Sequence, residues 1–146
     1  MKEAAEMIRM TTRPIQPHPV RRPLAARLRR RPALARKFVG SFYLSMGGVH
    51  LGIVAADPTL YRHFADGALF PIVRTGWSEI FMAHPSYSGL VMTAVETALG
   101  VMLLAGGRWA RVGWAGVIGF HLALMLFGWG FWLWSVPALS FLVPAA

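Results

Sequence analysis

Residues 38–56 read Phe-Val-Gly-Ser-Phe-Tyr-Leu-Ser-Met-Gly-Gly-Val-His-Leu-Gly-Ile-Val-Ala-Ala, an unbroken apolar run in which His50 alone titrates near neutral pH in its free form. A helix needs about twenty such residues to cross the hydrocarbon of a bilayer. Arg36 and Lys37 stand before the run and Asp57-Pro58 closes it, so its ends match a cytoplasmic border and a far-side helix stop. The run is therefore read as a first membrane span, and the rest of the chain is read from it.

Downstream, residues 57–85 hold too many polar groups to cross lipid. Leu69, Phe70, Val73, Trp77, Ile80 and Phe81 nevertheless recur at helical spacing, with Arg74 and Ser78 off the stripe. The pattern predicts an amphipathic helix lying in the outer interface or packed across the mouth of the bundle. Two further spans follow at about 86–105 and 109–127, separated by Gly106-Gly107-Arg108. A short last span at about 131–143 contains Pro137, and Gly128-Trp129-Gly130 reads as the hairpin before it. Merging the last two segments would give three spans; two glycines flanking Trp129 argue for the turn. The expected fold is all-α: an integral membrane four-helix bundle over residues 38–146, with an interfacial amphipathic helix between spans 1 and 2.

Charge orients the spans. Of 146 residues, 55% are hydrophobic and only 14% charged, well below the quarter usual in soluble domains. Residues 1–37 hold eleven Lys and Arg against Glu3 and Glu6, which is the whole net charge of +9. The loop with Arg108 and Arg111 is also purely basic, whereas residues 57–85 mix two arginines with three acids. Lys and Arg accumulate on the cytoplasmic side, so both termini are expected inside a cytoplasmic (inner) membrane. The tail is rich in Pro and Arg and has no apolar face to fold on, so it is expected to be retained as an attachment device. Arg21, Arg22, Arg27, Arg29, Arg30 and Arg31 would dock it on anionic lipids or on an acidic surface of a larger integral membrane protein complex. It has no aromatic residue for base stacking, which argues against nucleic acid.

The chain has no cysteine, which excludes disulfides, thiolate metal sites and thiol–disulfide relays. No nucleophile–base pair, phosphate loop or metal-ligand spacing is present in the sequence. Chemistry therefore rests on ionisable residues inside lipid, which cost about 2.5–3.5 kcal/mol or more each. His50, Glu96 and His121 are the three, one per span. At roughly 1.5 Å per residue they fall in one layer near the midplane. The simplest reading is a Glu96–histidine hydrogen bond that fixes helix register. A bound quinone, a haem b ligated by His50 and His121, and a proton relay are the other readings. Gly89 and Gly100 on the second span and Gly113, Gly116 and Gly119 on the third predict close helix approach.

The order of features resembles the DoxX-like family of small four-helix membrane proteins. The resemblance rests on Gly47-Gly48-Val49-His50 and, more firmly, on Glu96-Thr97-Ala98-Leu99-Gly100-Val101-Met102-Leu103-Leu104-Ala105-Gly106 followed by Arg108. It covers about residues 38–140 and implies kinship with small subunits of quinone-linked oxidoreductases. An arginine that the family carries early in the first span is represented here by Arg36 or Lys37 at its border. The resulting expectation is a non-catalytic accessory subunit of a larger membrane assembly. The alternative is a quinone- or haem-binding redox protein using His50, Glu96 and His121.

Overall fold

The computed structural model describes residues 30–146 and is helical, with no strand among the described residues. Arg21, Arg22, Arg27 and Arg29, with the docking role expected of them, lie outside the described residues. Helix α1 spans Arg30–Ala56, α2 Pro71–Gly76, α3 Pro85–Ala105, α4 Gly107–Leu124 and α5 Trp129–Ala145. A 3₁₀ turn, Pro58–Ala65, follows α1; a π turn, Trp77–Phe81, continues α2; and a 3₁₀ turn, Met125–Phe127, prolongs α4. Three stretches, Pro32–Ala56, Pro85–Ala105 and Gly107–Phe127, are long and apolar enough to cross a membrane. Trp129–Ala145 is equally apolar but has 17 residues.

The element ends follow from local chemistry. Asp57 stops α1 in extended backbone, and its Oδ1 accepts from Thr59 N at 2.9 Å and from the Thr59 hydroxyl at 2.7 Å. Those two bonds hold its carboxyl below the usual carboxylate range. Pro85 opens α3 at a first-turn position, where a missing N–H costs nothing. Gly106 ends it with φ +80°, a conformation that favours glycine. Arg36 Nη1 then donates to Leu103 O at 2.9 Å and to Leu104 O at 3.4 Å, capping carbonyls that the helix end leaves open. Arg36 thus ties the first turns of α1 to the end of α3, where the sequence suggested only a membrane border.

The helices meet where side chains are smallest. On the α1–α3 seam, a Cβ at Gly100 would lie 2.7 Å from Gly40 O, and one at Gly47 2.5 Å from Thr97 Oγ1. Gly89 abuts Val54 and Tyr61, Gly113 abuts Leu103, and Gly116 abuts Leu99, as small residues permit. Gly119 departs from the expected stripe: among the described residues nothing lies within 4 Å of a Cβ there. The core joins Val39, Tyr43, Leu103, Trp114, Val117 and Leu142, drawn from α1, α3, α4 and α5. Helix α5 packs on α4 and touches α1 only lightly, leaving an incompletely closed seam.

Two expectations need adjustment. Within the polar segment between α1 and α3 the helix covers Pro71–Phe81, as α2 and its π turn, so Leu69 and Phe70 of the expected stripe lie before it, Pro71 fixing the start. Within it, the π turn widens the helix and changes which residues share a face, so the 3.6-residue stripe does not persist. Leu69, Phe70 and Ile80 point outward, whereas Trp77 and Phe81 stack with ring centroids 3.8 Å apart. The second adjustment concerns the turn before α5, which is Gly128 alone, at φ +100° and in contact with Gly67. Trp129 and Gly130 already belong to α5. Leu69 N donates to Leu126 O at 3.0 Å, so the outer segment is bonded to the end of α4 and lies across one end of the bundle.

Candidate functional site

Beneath that segment is a cavity of about 570 Å³, within the range of small-molecule sites. Its wall is almost wholly apolar and aromatic, from α1, α3, α4, α5 and the outer segment. The polar side chains on it include His50, Glu96 and His121, each at least nine-tenths buried. The three residues expected to share a layer therefore do line one space.

They are not linked as a single triad. His50 Nε2 lies 3.5 Å from Glu96 Oε1, and His50 Nδ1 lies 2.8 Å from the Tyr61 hydroxyl. The His50 and Tyr61 rings stack at 5.6 Å and 16°. Burial, and then the Glu96 carboxylate, push the Tyr61 hydroxyl above its ordinary value, so it remains a donor. When its proton is given to Nδ1, the ring proton sits on Nε2, facing Glu96. His121 stands apart, with Nδ1 3.3 Å from Ser135 Oγ and its ring edge-on to Tyr43. Glu96 thus pairs with His50, and His121 pairs with Ser135.

Tyr61 and Ser135 are functional neighbours that the sequence reading passed over. Ser135 had a signal: it is the one hydroxyl residue in the apolar stretch 129–139, and the argument that singled out Glu96 applies to it. Tyr61 had none, since it lies in a segment too polar to span. The outer end of the cavity is closed by aromatic rings. Phe64 stacks on Trp77 at 6.0 Å, Trp77 meets Phe127 at 5.1 Å, and Phe64 meets Phe131 at 6.1 Å. Trp77 Nε1 donates to Tyr61 O at 2.8 Å, fixing this cover to the residue that holds His50.

Two buried oxygens in the cavity wall have no hydrogen-bond partner among the described residues: Glu96 Oε2 and the Tyr43 hydroxyl. Leaving such a group unpaired costs about 1–3 kcal/mol, so these two oxygens are the candidate polar contacts on the cavity wall. Bis-histidine haem ligation does not fit, because both ring nitrogens of His50 already face protein partners. Among the described residues no group of three or more His, Asp or Glu is placed to hold a metal ion. Comparison with protein families, with curated proteins and with solved structures finds no match, and the DoxX-like resemblance stands on the quoted residues alone.

Proposed function

We propose that this chain is a multi-pass membrane protein whose four long helices cross the bilayer around a binding chamber for a lipid-soluble molecule with a hydrogen-bonding head. A quinone in its reduced, quinol form is the class that matches, because its ring suits the aromatic wall, one of its hydroxyls can donate to the Glu96 carboxylate and its other oxygen can accept from the Tyr43 hydroxyl. The observation that carries the reading is the pair of unpartnered, buried oxygens on Glu96 and Tyr43 in an otherwise apolar chamber. Trp77 and Trp134 also line the chamber and supply a readout. Titrating the purified protein in detergent, under reducing conditions, with a short-chain quinol should quench tryptophan fluorescence saturably. Tyr43→Phe, which removes one open hydroxyl, should weaken binding several-fold, as one neutral hydrogen bond of about 0.5–1.5 kcal/mol implies. Linear, unsaturable quenching that is the same in both proteins would overturn the reading.

In this arrangement both termini and the α3–α4 turn face the cytoplasm, and the outer segment faces the opposite surface. The absence of cysteine makes single labelling clean. A cysteine at Ile72, which is 79% exposed, should react with an impermeant thiol reagent in intact cells, and one at Gly107 should not. Labelling at Gly107 from outside would reverse the orientation.

The concentration of all net charge in residues 1–37 supports a second role, as an accessory subunit held to a larger membrane assembly and to anionic lipids. Removing residues 1–31 should leave the helices inserted yet release the protein from co-purifying partners. Co-purification at full stoichiometry without them would reduce the tail to an orientation signal.

A further inference from the structure

A second cavity, of about 240 Å³, lies along the loose α1–α5 seam toward the end of the bundle that carries Arg36. Phe42, Tyr43, His121 and Trp134 line both cavities, so the wall between them is one layer of side chains. The Phe42 and Trp134 rings face each other across it with centroids 5.9 Å apart. The two spaces differ in chemistry. The larger holds Glu96, with its open oxygen, and the His50 pair; Glu96 and His50 do not reach the smaller, where Phe38, Leu133, Pro137 and Phe141 contribute apolar surface. Phe38 is 68% exposed, Leu133 67% and Phe141 50%, so the smaller space opens sideways on the flank of the bundle, which in a bilayer is lipid.

We propose that the ligand is a single-tailed amphipath: its head sits in the larger chamber at Glu96 and Tyr43, and its apolar tail reaches the lateral groove between α1 and α5 by parting the Phe42 and Trp134 rings, which at 5.9 Å are in contact without it. This rests on the binding role proposed above and adds the shape of the ligand and its route of entry. Trp77, stacked on Phe81 and bonded to Tyr61 O, covers the chamber on one side. The α1–α5 seam, by contrast, is lightly packed and faces the phase in which such a molecule dissolves. Burial of a linear tail adds affinity in proportion to the apolar area removed from solvent.

The test compares two probes with the same benzoquinol head, one without a chain and one with a decyl chain, titrated under reducing conditions by tryptophan quenching at several detergent concentrations to correct for partition. Wild-type protein should bind the chained probe at least about tenfold more tightly. Leu133→Trp, at an exposed site on the groove, should bring the chained probe down to the chainless one and leave the latter unchanged. Ala138→Phe fills the same groove from inside, and a matching result from both excludes a local folding defect. Equal affinity of the two probes in wild type overturns the tail route while leaving the head site standing. Loss of both probes together in Leu133→Trp, with the fold intact by circular dichroism, also overturns it. If neither probe binds wild type saturably, the binding role fails and the tail route fails with it. A shift in particle mass in Leu133→Trp, with both affinities unchanged, would show that a protein helix occupies the seam.

Discussion

Gly100→Val should prevent α1 and α3 from seating, and a population of correctly folded protein should be hard to recover. The reason is backbone on backbone. Even a bare Cβ at Gly100 would approach Gly40 O to 2.7 Å and Leu44 Cγ to 2.9 Å. A leucine terminus can rotate away, but a helix carbonyl cannot, so the helices must separate. Overpacking of this kind costs about 1–3 kcal/mol for one or two carbons, and valine adds two stiff methyl groups to the Cβ. The helix-propensity gain of replacing glycine, about 0.5–1 kcal/mol, is too small to compensate. Gly100→Ala should therefore lose about 1–3 kcal/mol, and Gly100→Val more. Gly119 supplies the control: a Cβ there meets nothing, so Gly119→Ala should change stability by about 0.5 kcal/mol or less. Thermal unfolding in detergent, followed by circular dichroism, measures all three. Equal sensitivity at Gly100 and Gly119 would mean that the α1–α3 seam is not where the bundle is held.

The contrast between these glycines shows what the sequence could and could not reveal. Apolar runs bounded by Pro, Asp and paired glycines placed the three long apolar helices, because length and the cost of polar groups in lipid leave few options there. Counting residues also located His50, Glu96 and His121 at one depth, and all three line the cavity. Depth, however, does not fix rotation about a helix axis. Gly119 sits three residues beyond Gly116, yet the first faces open space and the second faces Leu99. The pairing was equally invisible: His50 and His121 looked equivalent until α5 brought Ser135 to one and the outer segment brought Tyr61 to the other. The outer segment was the least legible region. Its fold depends on a π turn and on contacts with Phe127 and Phe131 far along the chain, none of which a local hydrophobic period can encode. Arg36 illustrates the same limit, since its partners are carbonyls 67 and 68 residues away.

Glu96→Gln should remove ligand binding while leaving the fold, and Glu96→Ala should damage both. Glu96 is 2% exposed, and its two oxygens have different surroundings: Oε1 faces His50 Nε2 at 3.5 Å, and Oε2 is buried without a partner among the described residues. Glutamine has the same shape and can still accept from or donate to His50, so the α1–α3 contact persists. With its oxygen turned to His50 it presents an NH2 group, which cannot accept from a quinol hydroxyl. A hydrogen bond that involves a charged group contributes about 1.5–3 kcal/mol, so affinity for the quinol probe should fall by about tenfold to a hundredfold. Alanine removes both oxygens and leaves His50 with Tyr61 as its remaining partner. Because that partner stays, the structural loss should be modest, about 1–2 kcal/mol by comparison with hydrogen bonds between membrane helices. His50→Phe should weaken binding less than Glu96→Gln, since His50 positions the carboxyl and does not supply the open oxygen. In the double variant the binding losses should add to less than their sum, because part of each acts through the same pair. Quinol affinity in Glu96→Gln equal to wild type would show that Oε2 does not meet the head. The His50–Glu96 pair would then be left as a structural link between α1 and α3.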